Sequence, residues 1–246
     1  MAEYSTMNDS QMLKQMVEQM YSDIDADVER TFTDIPFFQS DQNKMSLKRI
    51  LIALTNYDQT VGYVQGMNFI AGVLLYHAGE VAAFWLMCAL IDKYKLKEIL
   101  RPGLAGLNLH NDAIQRRVME ELPALHKHLQ ANYITISLLT TDWVIGLFMN
   151  CLPLDLTAQF LDNFFEHGWT AFYDLAVGIL RHQEEQLLMF TDGSEIISTI
   201  KQIRHGCCMD NLMQSVASLS IKNQRPSVTI SEIDDSSSAA AESFTR

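Results

Sequence analysis

Apolar residues recur along this chain at helical spacing, and hardly anywhere at the strict alternation of a half-buried strand. Leu13, Met16, Val17 and Met20 share one face of a first helix, for which Asn8, Asp9 or Ser10 can supply the cap. Leu47, Ile50, Leu51 and Leu54 mark a second. Two apolar segments, Met67–His77 and Glu80–Tyr94, follow and join at Gly79. Arg101-Pro102-Gly103 opens a turn-rich loop expected to run to about Leu109. Asn111 is the expected cap of a helix bearing Ile114, Val118 and Leu122, and Pro123 suits the first turn of a short one with Leu125 and Leu129. Thr140 or Thr141 opens another with Trp143, Leu147 and Phe148, ended by Leu152-Pro153. Leu156 to His167 stops at Gly168, and Thr170 to Phe190 is long and amphipathic. Ser194 is read as the cap of a helix with Ile196, Ile197, Ile200 and Ile203, stopped by Gly206; Asp210 begins a last one with Leu212, Met213, Val216 and Leu219. Val64 and Tyr133–Ile136 are the only β-like spots. The pattern predicts an all-α domain over residues 1–222. The Ser-, Ala- and acid-rich tail, 223–246, cannot bury enough apolar surface to offset its ordering entropy and is expected to be disordered.

Composition narrows the possible partners. Of the 246 residues, 48% are hydrophobic and 20% charged, enough for a core that needs no staples. The net charge of −12 argues against nucleic acid, whose binders carry a basic face, and gives no attraction to an anionic membrane. The apolar run Phe69–Ile91 is interrupted mid-way by His77 and Glu80, which a bilayer centre would penalise; two buried helices fit it better than a membrane span. Met1 to Ser10 is polar and shows no secretory signal. Cys88, Cys151, Cys207 and Cys208 form no C-x-x-C pair and are read as buried thiols of a reducing, cytoplasmic compartment.

Several candidate sites dissolve on inspection. His126 and His128 flank Lys127 at i,i+2, positions that do not face each other on a helix, so a metal site is not expected. Ser137, Asp142 and His182 lack the context of a catalytic triad. No Gly-x-x-x-x-Gly-Lys-Ser loop is present, so the chain is not expected to bind GTP itself. Phe160, Phe164, Phe165, Trp169, Phe172 and Tyr173 have core spacing.

Two short stretches stand out. In Ile24-Asp25-Ala26-Asp27-Val28-Glu29-Arg30-Thr31-Phe32, Arg30 sits where Thr31–Pro36 breaks the helical pattern, with Asp27 three residues earlier to steer its guanidinium. In Gly62-Tyr63-Val64-Gln65-Gly66-Met67-Asn68, the glycines permit tight backbone geometry, and Gln65 precedes a helix start with one amide donor and one acceptor to present, enough to orient a water. Taken singly, the first reads better as an ordinary surface i,i+3 pair and the second as a polar residue capping its own helix.

Together and in order, they resemble the TBC domain family, GTPase-activating domains that act on Rab-type GTPases, with its I-x-x-D-x-x-R motif (Ile24, Asp27, Arg30) and its Y-x-Q motif continuing G-M-N (Tyr63, Gln65, Gly66, Met67, Asn68). Glu80-Val81-Ala82-Ala83-Phe84-Trp85, Arg101-Pro102-Gly103-Leu104, Trp143 to Phe148, Leu152-Pro153 and Asp162 to Gly168 resemble later stretches of that family, and the likeness covers roughly residues 20–190. Thr33 stands where the family usually has Pro, and Leu161 where it often has Trp. Only 23 residues precede Ile24, where the family has a further lobe.

The resemblance implies an all-α TBC-like fold with a shortened N-terminal lobe and a Rab-type small GTPase as partner. Arg30 and Gln65 would be supplied in trans as catalytic fingers, supported by Asp27, Tyr63 and Gly66. The chain would not be an enzyme by itself and would need no cofactor of its own, GTP and Mg²⁺ belonging to the partner. It also implies a role in vesicle trafficking, with membrane contact at endomembranes only through the GTPase. A TBC-like scaffold that binds a GTPase without activating it is the alternative.

Overall fold

In the computed structural model, residues 9–201 are described, apart from Pro102 and Leu104. Among them every regular element is a helix, and the chain falls into two compact units with the boundary between residues 103 and 104. The predicted tail and the helix expected from Asp210 lie outside the described residues, as do Ile203, Gly206, Cys207 and Cys208.

The first unit contains α1 (Asp9–Arg30), α2 (Pro36–Gln39), α3 (Asp41–Tyr57), α4 (Met67–Ala78), α5 (Glu80–Asp92) and α6 (Leu96–Leu100). Its centre is α4, buried from Met67 to Leu75 except at Phe69 and packed against α5, α3 and α1. The apolar run 69–91 breaks at Gly79 into two helices, as its polar interruption implies; α4 is buried, but α5 is buried on one face only, with Val81 and Trp85 exposed. Among the described residues no helix is long and apolar enough to cross a membrane. Glu80, in the first turn of α5, accepts two N–H donors of Arg49 at 2.6 Å, which hold its pKa down at about 2. Burial pushes the Cys88 thiol up to about 11, whereas Cys151 is only half-buried, against expectation.

Periodicity locates α1 but not its surroundings. Leu13 and Met16 are 64% and 67% exposed and Val17 is also exposed; burial along α1 begins at Ile24. The α2 and α6 helices, of four and five residues, escape any pattern that needs two turns to register.

The second unit contains α7 (Ala105–Glu121), α8 (Pro123–Ala131), α9 (Ile136–Gly146), α10 (Leu154–His167), α11 (Trp169–Met189) and α12 (Gly193–Lys201). The long α11 packs against α7, α8 and α10. The loop expected to reach Leu109 ends at Ala105, and Asn111 lies inside α7 rather than at its cap. A buried asparagine is tolerated there because its amide oxygen accepts from the Thr140 hydroxyl at 2.8 Å and its NH₂ donates to Thr141 at 3.3 Å. Those two threonines are therefore interior to α9, which Thr135 caps instead by accepting from the Leu138 N–H. At α12 the cap falls to Asp192, whose carboxylate accepts from the Ser194 N–H at 2.9 Å.

The aromatic cluster is largely core, as its spacing predicts, with Phe160, Phe164, Phe172 and Tyr173 buried. Against it lies the buried His110, its ring 3.8 Å from that of Trp169 and its Nδ1 2.6 Å from the Tyr173 hydroxyl. Burial lowers its pKa to about 4. Between that value and the ordinary 6.5 only the unfolded chain binds the proton, so stability is fully present above about pH 6.5 and falls as pH drops toward 4. The expected loss is about 3 kcal/mol at one pKa unit per 1.4 kcal/mol. Denaturant titrations from pH 7 to 4 on wild type and His110→Asn should show the variant lacking this part of the acid sensitivity; parallel curves would refute it.

Candidate functional site

The end of α1 sets the position of Arg30. The Thr31 N–H bonds back to the Val28 carbonyl, and Phe32 then takes a left-handed φ of 48°, turning the chain out of the helix. Few non-glycine residues adopt that conformation; here Phe32 is held by ring contacts with Phe38 and Phe69 at 5.0 and 5.3 Å. Pro36 then favours extended backbone at Ile35 and fills the first turn of α2. Arg30 thus occupies the last helical turn, its side chain 54% exposed and its guanidinium paired with the buried carboxylate of Asp27 one turn back.

Gln65 is placed by the loop between α3 and α4. Asp58 begins that loop by accepting from the Thr60 N–H at 2.9 Å and from its hydroxyl at 2.5 Å. At its end Gly66 caps α4 with φ 111° and ψ −30°, a combination closed to residues with a Cβ. Gln65 is therefore delivered, exposed, just ahead of α4.

Tyr63 joins the two pieces. Its hydroxyl donates to Asp27 Oδ2 at 2.5 Å while Asp27 Oδ1 serves Arg30, so one carboxylate faces both. Burial first, and then the bond to Asp27, push the Tyr63 phenol well above its ordinary range and keep it a donor. Tyr63→Phe removes a hydrogen bond to a buried charged group and should cost about 1.5–3 kcal/mol of stability, read from the urea midpoint. An unchanged midpoint would mean that Asp27 does not depend on Tyr63.

Arg30, Gln65, Asp27 and Tyr63 line one cavity of about 300 Å³ together with Asp23 and Ala26. Gly66, next in sequence to Gln65, is buried and is not among the lining residues. Asp23 precedes the first motif and Ala26 fills one of its unspecified positions; their i,i+4 relation to Asp27 and Arg30 on α1 is the signal that finds them. Elsewhere, His126 and His128 are half-buried, and His128 Nε2 donates to the Phe190 carbonyl at 2.9 Å. Among the described residues no cluster of His, Cys, Asp or Glu could hold a metal ion.

The chain is 32% identical over 187 residues to growth hormone-regulated TBC protein 1 of Xenopus laevis, a match covering 74% of this chain and 54% of that protein. It is 29% identical over 166 residues to the Rab GTPase-activating protein eat-17 of Caenorhabditis elegans, covering 67% of this chain and 19% of the other. The chain thus spans about half the length of the growth hormone-regulated TBC proteins it matches. Among solved structures, the flagellar RabGAP TBC domain of Chlamydomonas superposes with a TM-score of 0.70 at 31% identity, over 85% of this chain and 70% of that one. The Ypt/Rab-GAP domain of Gyp1p has the same fold, with a TM-score of 0.71 at 18% identity over 87% and 74%. The family model described as the Rab-GTPase-TBC domain matches residues 1–188. A match of that extent makes the chain a member of the Rab-GTPase-TBC domain family.

Proposed function

We propose that this chain accelerates GTP hydrolysis by a Rab-type small GTPase, supplying Arg30 and Gln65 in trans to the partner's nucleotide. The observation that carries the reading is that these two residues, far apart in sequence, line a single open cavity. Phosphoryl transfer asks little covalent help of a protein; it needs the water held in line and the charge on the equatorial oxygens neutralised. A guanidinium presents several N–H donors to phosphate oxygens, and a glutamine amide can both donate to and accept from a water. Asp27 aims the guanidinium, Gly66 allows the turn that projects Gln65, and the backbone of 63–65 meets the partner's switch region. GTP and Mg²⁺ belong to the partner, and this chain brings no cofactor. Its place is cytoplasmic, at endomembranes only through the GTPase, in the control of vesicle traffic.

The test is a GTP-hydrolysis assay across a panel of Rab-type GTPases with the purified chain. Acceleration of at least one supports the reading. GTP-dependent binding with hydrolysis at background would replace it with a scaffold role, and no effect of either kind would end it.

A further inference from the structure

We propose that Asn68 and Thr31 form a latch that fixes the spacing between Arg30 and Gln65, making both positioning residues for the reaction; this rests on the function proposed above. Asn68 lies in the first turn of α4 and is 0% exposed. Its Oδ1 accepts from the Gly66 N–H at 3.0 Å, and its Nδ2 donates to Thr31 Oγ1 at 2.8 Å. The Thr31 hydroxyl in turn donates to the Asp27 carbonyl at 2.6 Å. The result is a continuous line of hydrogen bonds from the peptide that follows Gln65 to the last turn of α1, which carries Arg30. Every member has one compatible orientation. The Thr31 proton is committed to Asp27, so Thr31 must receive the Asn68 NH₂, which leaves the Asn68 oxygen for Gly66.

The line is buried, so water cannot substitute for a lost member. It runs where α4 and the turn after Arg30 are pressed together. A Cβ added at Gly72, one turn beyond Asn68, would lie 3.3 Å from Thr31 Cγ2 and 3.3 Å from Phe32 Cε2. With Tyr63–Asp27 on one side of Gln65 and Gly66–Asn68–Thr31 on the other, the loop is tied to α1 both before and after the glutamine. The latch touches backbone and hydroxyl groups only, so it acts through geometry. A misplacement of about 1 Å at a reacting centre costs on the order of 100-fold in rate.

The test is saturation kinetics of stimulated GTP hydrolysis with a responsive GTPase from the panel. Thr31→Val keeps the outline and deletes the hydroxyl; Thr31→Ser keeps the hydroxyl; Asn68→Asp keeps its outline and loses the donor. Thr31→Val and Asn68→Asp should lower kcat about 10- to 100-fold, with KM for the GTP-loaded partner changed less than about threefold, while Thr31→Ser stays within about threefold of wild type. In an Arg30→Ala background Thr31→Val should cost less than about twofold more, because there is no longer a pair to hold in register. Wild-type kcat in Thr31→Val and Asn68→Asp overturns the latch and leaves the proposed function standing. So does a KM-only effect, or a full further loss in the Arg30→Ala background, which would mark a purely structural role. A wild-type chain that stimulates no GTPase overturns the function, and the latch with it.

Discussion

Arg30→Ala is expected to remove about 10³–10⁵ of the stimulated hydrolysis rate, the range an arginine finger supplies where one is used. The side chain is half exposed, so its loss opens no cavity, although it takes the ion-pair partner from the buried Asp27 and should cost some stability, which is read separately from the urea midpoint. The effect should fall almost wholly on kcat, because the guanidinium meets charge that develops as the phosphoryl group transfers. Arg30→Lys should recover only a small part, since a lysine keeps the charge and loses the planar fork. Single-turnover phosphate release at saturating chain is the measurement. A rate within about threefold of wild type for Arg30→Ala would rule Arg30 out as a finger, and a rise in KM alone would reduce it to a docking contact.

The second large effect is expected at Gln65. Gln65→Ala should cost about 10²–10³ in the same rate, the usual consequence of deleting one preorganised polar group at a reacting centre. Gln65 is exposed, so the fold should survive and the GTP-loaded partner should still bind. Gln65→Glu is the sharper variant. It keeps the size and an acceptor, loses the donor, and sets a negative charge beside phosphate, so it should be no better than alanine. If the glutamate were as active as wild type, water orientation by an amide would be the wrong mechanism. The double variant Arg30→Ala, Gln65→Ala should lose less than the product of the single losses, because both act on one transition state.

What the sequence makes legible depends on how local the signal is. The break between α4 and α5 is visible because Gly79 and its polar neighbours interrupt an apolar run within four residues. The start of α7 is not visible, because Asn111 looks like a cap until Thr140 and Thr141, distant in sequence, supply the partners that let it sit inside a helix. The exposure of Leu13 and Met16 shows the limit of periodicity, which finds a helix and its stripe but not what lies opposite. At the candidate site, Arg30, Asp27, Tyr63 and Gln65 are legible through two short motifs and their order. Asp23 needs only helical geometry. The line through Asn68 and Thr31 needs the fold, since neither hydroxyl nor amide announces a partner across so much sequence.

The carboxylate that holds Arg30 also decides which anions Arg30 will answer to. In the free chain the guanidinium already has a negative partner in Asp27, so engagement is an exchange of one anion for another. Chloride or a stray metabolite carboxylate offers nothing that Asp27 does not, and must give up its own hydration to compete. An anion of higher charge, delivered by a docked protein into a space from which water is leaving, can compete. Under the proposed function, Asp27 would therefore act as a threshold, keeping the arginine indifferent to the dissolved ions around it until a partner brought phosphate to the cavity.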